Sequence, residues 1–410
     1  MRAVYVVGRR LADMETTEAF EGLSCRDCGE FYDPETGTHR CGECEGILDP
    51  AYEYDEIDVD RETVAARPFD SMWRYAELLP FRREGAVTMD EGATPTIDCP
   101  SLAGEVGVGE FLIKDEGRNP TGTFKDRGAS MAVTAAVQHG ATDVALPSAG
   151  NAGQAAAAYA GRAGLASHVY LPARAGFTTK AMVNVHGGDL TVSGGRIGDA
   201  AAAYGDAMDE HEDWYSLSSL VTPYRHEGKK TMLYELVEQR EWDVPDAIVY
   251  PTGGGVGLVG MYKAALELRE LGLIDELPSF YAAQATGCAP IVEAFEAGRE
   301  VHEPVEHPDT ICGGIEIPDP GGSQWILEAL RETDGGAVAT DDEEILDAAI
   351  AVAQSEGLEM APTCAAAASG AWALADAGEF DDDETVVVVN TGAGNKEADV
   401  LRSHLMSQGV

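Results

Sequence analysis

NPTGTFKDRG, residues 119–128, sets a single lysine, Lys125, among small and hydroxyl-bearing neighbours. The setting is unusual for this chain, whose 410 residues carry 72 Asp and Glu against 28 Lys and Arg, a formal net charge of −44. Its only lysines are Lys114, Lys125, Lys180, Lys229, Lys230, Lys263 and Lys396. A scarce lysine in a turn of glycine, threonine and proline is either an ordinary surface residue or one placed there for its amine. Such an amine becomes a nucleophile once burial or a neighbouring positive charge lowers its pKa.

From residue 85 onward, short apolar runs alternate with helical stretches. The runs are DVALP (143–147), SHVYLP (167–172), DAIVYP (246–251), SFYAAQ (279–284) and TVVVVN (385–390), and VGLVGMYKAALELRELG (256–272) is one of the helical stretches. Continuous apolar strands between amphipathic helices predict parallel sheets covered on both faces, an α/β body. Ligands in such folds sit beyond the carboxyl ends of the strands. Three loops fall there. PTGGGVG (251–257) opens a helix, where the amides of Gly253, Gly254, Gly255, Val256 and Gly257 can hold a phosphate. This run lacks both the G-x-G-x-x-G spacing and the Lys-Ser/Thr that follows in a P-loop. SAGNAG (148–153) offers Ser148, the amides of Ala149 and Gly150, and Asn151, a set suited to a carboxylate. NTGAGNK (390–396) places Thr391 directly after a buried strand, where its hydroxyl can bond a ring nitrogen.

Cys25, Cys28, Cys41 and Cys44 form two Cys-x2-Cys pairs separated by twelve residues. This is zinc-ribbon spacing, and four thiolates would give the metal a closed, structural site. Two disulfides are the other reading, disfavoured in a reducing cytoplasm. Cys99, Cys288, Cys312 and Cys364 read as small buried hydrophobes. The opening MRAVYVVGRRLADMETTEAF has no apolar core of signal-peptide length, and no window approaches a membrane span, so a cytoplasmic protein is expected. The alanine-rich AGQAAAAYAGRAGLA (152–166) reads as a tightly packed soluble helix, while DEIDVDRE (55–62) and EFDDDE (379–384) read as surface. Acid excess with few lysines resembles proteins of salt-loving microbes, and no basic patch stands out for nucleic acid or an anionic membrane.

EGATP (91–95), NPTGTFKDRG, SAGNAG, PYRHEGKKT (223–231), PTGGGVG and NTGAGNK occur in the order found in fold-type II pyridoxal-phosphate enzymes. Over roughly residues 20–400 the chain resembles the threonine synthases, in particular archaeal-type members with an N-terminal zinc ribbon. The resemblance implies two parallel-sheet αβα lobes and a ribbon: an arm and ribbon at 1–50, a large cofactor-binding lobe at 51–130 and 236–410, and a smaller lobe at 131–235. It also implies pyridoxal 5'-phosphate, structural zinc and a homodimer. By it Lys125 would be catalytic and bind the cofactor covalently, Asn151 would hydrogen-bond the cofactor's 3-hydroxyl, Gly253–Gly257 would hold its phosphate, and Thr391 would meet its pyridine nitrogen. A neutral threonine there leaves that nitrogen unprotonated, which suits elimination and replacement at the β and γ carbons. Thr94, Ser148, Ala149, Gly150 and Arg225 would bind the substrate.

The reaction implied is conversion of O-phospho-L-homoserine and water to L-threonine and phosphate. The glycine loop also resembles that of threonine and serine dehydratases, so a dehydratase or related ammonia-lyase is the alternative. A binding module without catalysis is disfavoured by the intact Lys125. PYRHEGKK gathers Arg225, Lys229 and Lys230, which Arg127 and Lys180 could join. The group is either a second anion pocket, for the substrate's phosphate, or a helix start pairing with Glu227 and Glu235.

Overall fold

TVVVVN becomes a strand buried at all six positions, and the larger of two parallel sheets is built around it. The computed structural model describes residues 14–407 and 409. The first thirteen residues, which include the start of the expected N-terminal arm and most of the segment read for a leader, lie outside the described residues. The chain opens with β1 (Phe20–Cys25), β2 (Phe31–Tyr32) and β3 (Leu48–Tyr52), a small antiparallel sheet of order β2-β1-β3. Next come β4 (Thr96–Asp98) and β5 (Glu110–Asp115) of the larger sheet. A four-stranded parallel sheet follows, β6 (Asp143–Pro147), β7 (Ala166–Leu171), β8 (Asp189–Val192) and β9 (Tyr215–Ser216), in the order β8-β7-β6-β9. The chain then returns to the larger sheet with β10 (Ala247–Pro251), β11 (Ser279–Ala285), β12 (Gly336–Thr340) and β13 (Thr385–Asn390). Its order is β12-β11-β10-β13-β5-β4, parallel except for the edge strand β4.

The five apolar runs of the sequence are β6, β7, β10, β11 and β13, within one residue at each end. The strand β5, next to the edge strand β4, was not among the expected strands because Lys114 interrupts its apolar pattern. That lysine is fully buried, donating to the Thr94 carbonyl at 2.6 Å and to Glu235 at 2.9 Å. The alanine-rich run forms the helix Asn151–Ala163, whose small side chains let it pack closely on the four-stranded sheet, and its last residue Ala166 begins β7. Both acidic segments lie at the surface. Among the described residues, no helix is long and apolar enough to cross a membrane.

The helix Tyr224–Gln239 packs between the helices Lys125–Gln138 and Val256–Glu270 and is buried from Tyr224 to Val237. A helix so enclosed is ordinarily apolar all round, yet this one carries Arg225, His226, Glu227, Lys229, Lys230 and Glu235 inside. Most of these charges find partners. Lys230 pairs with Glu227 at 2.6 Å and Glu267 at 2.9 Å. From the ribbon sheet, Asp49 reaches His226 at 2.8 Å and Lys263 at 2.6 Å, and the Tyr52 hydroxyl donates to Glu227 at 2.5 Å. Although Asp49, His226 and Glu227 converge closely enough to suggest a metal site, the Lys263 ammonium already bonds both carboxylates, the second at 2.6 Å.

Two residues after Lys125, the Arg127 guanidinium lies fully buried between two carboxylates. It donates to Glu116 twice at 2.7 Å, to Glu235 at 2.6 and 2.7 Å, to Thr231 at 2.9 Å and to Thr94 at 3.1 Å. These bonds tie the turn after β5, the EGATP segment and two helices to one planar group. Removing one member of such a network leaves charges buried and unmatched. Arg127→Leu is therefore expected to cost about 3–5 kcal/mol, measured by urea denaturation. A loss under about 1 kcal/mol, the scale of an exposed pair, would contradict this role.

Candidate active site

At the carboxyl ends of β6, β10 and β13 opens a cavity of about 550 Å³, with elements of both parallel sheets in its wall. It is lined by Lys125, by Ser148 to Asn151, by Gly253 to Gly257, and by Arg225 and Thr391. Strand ends separated by more than a hundred residues thus bring together what the sequence offered as separate loops.

Lys125 is the first residue of its helix, and its turn is stitched to the loop after β13: the Phe124 amide donates to the Thr391 carbonyl at 3.0 Å, and Thr123 bridges Gly392. The amine lies 4.2 Å from the centre of the Phe124 ring. Part of the side chain faces the cavity, but burial of the amine, with the positive charge of Arg225 second, pushes its pKa down to about 7. A free amine is the nucleophilic form, so this lysine is reactive near neutrality. Arg225 is itself buried and pushed down to about 10. It donates to the Leu217 carbonyl at 3.1 Å and, among the described residues, has no carboxylate partner.

The glycine loop turns into its helix at Gly255, whose φ of +66° is left-handed. A Cβ there would collide with Ile326, and one on Gly257 would collide with the Tyr250 hydroxyl. No side chain caps this helix N-terminus, which suits it to an anion. The Tyr250 hydroxyl is buried beside it without a hydrogen-bond partner. In the loop after β6, the Ser148 hydroxyl accepts from the amides of Gly150 at 3.0 Å and Gly153 at 2.9 Å. Ser148 thus fixes the turn that presents the neighbouring amides and Asn151.

Thr391 donates to the Cys364 sulfur at 3.1 Å. Burial pushes the Cys364 thiol up to about 12, so the pair stays uncharged. Cys364 also lines the cavity, a role that a lone cysteine in an alanine-rich helix does not reveal. Also unforeseen is the rim, where Glu316 holds Arg174 at 3.1 Å and Arg196 at 2.6 Å.

Several expected residues stand elsewhere. Thr94 is outside the cavity lining, its hydroxyl donating to Glu116 at 2.5 Å. Arg127 and Lys230 belong to the buried networks described above, and Lys180 donates to the Ala173 carbonyl at 2.5 Å away from the lining. The basic cluster therefore divides. Arg225 faces the cavity, Lys230 pairs with Glu227, and Lys229 pairs with neither.

In the ribbon, one thiol-group atom from each of Cys25, Cys28, Cys41 and Cys44 lies within 4.8 Å of the others, and none is in a disulfide. The nearest pairs, Cys25 with Cys44 and Cys28 with Cys41, are 3.5 Å apart. Gly46 has no room for a side chain here, since a Cβ would come within 2.8 Å of the Cys25 sulfur and 3.1 Å of the Cys44 sulfur.

Comparison with known proteins adds to this geometry. A family profile described as pyridoxal-phosphate dependent enzyme matches residues 87–392. Threonine synthase from Methanosarcina acetivorans is 38% identical over 371 residues, 90% of this chain and 91% of that protein. The Methanocaldococcus jannaschii threonine synthase is 36% identical over 379 residues, 92% and 93% of the two chains. Among solved structures, Escherichia coli diaminopropionate ammonia lyase superposes with a TM-score of 0.68 at 16% identity, covering 83% of this chain and 94% of that one. At that identity the likeness is one of fold.

The depressed pKa of Lys125 has a direct consequence. Pyridoxal, an aldehyde without a phosphate to steer it, should be captured by the cofactor-free protein at a rate that rises with pH and levels above about 7. Levelling only near the ordinary lysine value of about 10.4 would contradict the buried, cation-flanked amine.

Proposed function

The chain belongs to the pyridoxal-phosphate dependent enzyme family, and we infer that within it the chain is a threonine synthase, converting O-phospho-L-homoserine and water to L-threonine and phosphate. The observation that carries this reading is Arg225, a buried cation without a carboxylate partner in the same cavity as Lys125 and the glycine loop. The cavity thereby offers anion sites for two phosphates, one on the cofactor and one on the substrate.

The residues present fit the cofactor. An uncapped helix N-terminus with glycines that admit no side chain suits its phosphate, the orphaned Tyr250 hydroxyl beside that loop lacks only a partner, and Lys125 is an amine free at neutral pH. Pyridoxal phosphate, when bound, supplies an electron sink for negative charge developing on the substrate's carbons. Lys125 would hold the cofactor, and its amine would serve as the base that moves the proton at the substrate's α carbon. Asn151 would meet the cofactor's 3-hydroxyl. Thr391, an uncharged hydroxyl that in this structure donates to the Cys364 sulfur, would meet the cofactor's ring nitrogen by turning that proton to it, leaving the nitrogen unprotonated. The loop fixed by Ser148 presents the amides of Ala149 and Gly150 to the substrate carboxylate. Arg225 binds the phosphate that leaves from the γ carbon and stabilises its charge as it departs. Thr94 acts indirectly, as part of the network that holds Arg127 and hence the Lys125 turn.

Zinc in the four-cysteine ribbon belongs to this reading as a structural ion. Support comes from the convergence of four thiols without disulfides and from β3, which carries Asp49 and Tyr52 onto the helix of Arg225. About one zinc per chain is expected by metal analysis, with chelation lowering the melting temperature; no metal under reducing conditions would remove the assignment. The cytoplasmic location, the homodimer and the salt-loving habit also stay with the reading. Support for the last is the net charge of −44, and sedimentation in graded salt tests it together with the dimer.

Substrate assays decide the reaction. The protein should release phosphate and form threonine from O-phosphohomoserine while making little 2-oxo acid from threonine or serine. Arg225→Ala should weaken turnover of the phosphorylated substrate by about 1.5–3 kcal/mol, the worth of a charge-assisted bond, and leave the cofactor absorbance unchanged. Production of 2-oxobutyrate from threonine, with no phosphate released from O-phosphohomoserine, would replace this reading with a dehydratase.

A further inference from the structure

Lys229, like Arg225, is a buried basic residue with no carboxylate partner among the described residues, and unlike Arg225 its amine has no hydrogen bond at all. Its neighbour Lys230 bonds two carboxylates, Lys114 bonds Glu235, and Lys263 bonds Asp49 and Glu227. The charged groups acting on Lys229 are Lys125 and Arg225, both positive. Tyr250 brings an unpartnered hydroxyl to the same region, its ring in edge contact with Phe124 at 6.1 Å.

Its position is defined by two glycines. Lys229 runs against Gly128 of the Lys125 helix, where a Cβ would lie 3.2 Å from its Cε, and against Gly260 of the glycine-loop helix, where a Cβ would lie 3.1 Å from its own Cβ. Each glycine is about one turn past the residue that opens its helix, Lys125 or Val256. The amine ends 4.5 Å from the centre of the Phe124 ring, the ring that the Lys125 amine also approaches. Lys229 is not itself in the cavity lining, but Phe124 is, and the side chain lies between the first turns of the Lys125 and Val256 helices.

Resting on the reading of the cavity as a pyridoxal-phosphate site, we propose that Lys229 is an anion-stabilising residue, the buried charged partner, behind the Phe124 wall, of a phosphate monoester held in the cavity. Burial and the charges of Lys125 and Arg225 push its amine well below the ordinary lysine range. Burial disfavours its charged form, and a dianion nearby would favour it. The partner is the cofactor's phosphate or the substrate's.

Lys229→Met and Lys229→Gln, made in the full chain, separate these sources. If the cofactor's phosphate is the partner, affinity of the cofactor-free protein for pyridoxal phosphate falls at least about tenfold while that for pyridoxal is unchanged. If the substrate's is the partner, pyridoxal phosphate affinity holds and inhibition of the loaded enzyme by inorganic phosphate weakens at least about tenfold. Either result supports the proposal. Melting of the cofactor-free variants reports folding directly, and Lys229→Met should melt no lower than the parent because it removes a lone buried amine. The proposal is overturned if both affinities are unchanged, or if pyridoxal phosphate and pyridoxal weaken alike, which marks a packing role. Failure of the parent protein to bind pyridoxal phosphate would instead sink the cofactor reading itself.

Discussion

The Arg127 guanidinium between Glu116 and Glu235 is the constraint on which the active-site arrangement rests. Its six short bonds engage both carboxylates, Thr94 and Thr231. The cluster is neutral as a whole because Lys114 adds a second positive charge on Glu235. Those four charged groups come from β5, the turn after it, the Lys125 helix and the Tyr224–Gln239 helix. A buried ionic cluster is a poor source of net stability compared with apolar packing, but its geometry is demanding. Here it fixes the turn of Lys125 relative to the helix that carries Arg225 and Lys229.

Cation placement follows a single logic across the molecule. None of the seven lysines is exposed, although the chain carries a net charge of −44. Lys180 and Lys396 are half-buried and bond carbonyl or amide oxygens, and the other cations of the interior are of two kinds. Lys114, Lys230, Lys263 and Arg127 are matched by carboxylates and hold elements together. Lys125 and Arg225 line one cavity, and Lys229 lies against the Phe124 ring of its wall. None of these three has a carboxylate partner among the described residues, and desolvation lowers the pKa of each. The same physics that makes an unpaired buried cation costly suits it to an anionic ligand and, in Lys125, lowers the pKa of a nucleophilic amine.

Much of this was legible in the sequence because the motifs carry their own geometry. TVVVVN and DVALP can hardly be other than buried parallel strands, and a glycine run between strand and helix leaves its amides free. Lys125 stood out because cations are rare. What stayed hidden depends on long-range packing. β5 was obscured by Lys114, whose burial makes sense only once Glu235, 121 residues away, is beside it. Thr94, Arg127 and Lys230 looked like site residues because they are polar and close in sequence to the site, but their partners turn them inward. PYRHEGKK reads as one cationic cluster, whereas a helix points successive side chains in different directions and so divides Arg225 from Lys230. Cys364 gave no signal, since its part depends on Thr391 arriving from another strand end.

The central claim is that the cofactor is held by Lys125 and by no other amine in the cavity. Reduction of the cofactor-loaded protein with borohydride makes the linkage permanent, and peptide mapping by mass spectrometry then finds the modified lysine among seven. The account predicts the pyridoxyl group on Lys125, with Lys229 unmodified despite its proximity to the same ring. Stoichiometric labelling of Lys229, Lys396 or any other lysine, with Lys125 recovered unmodified, would contradict it.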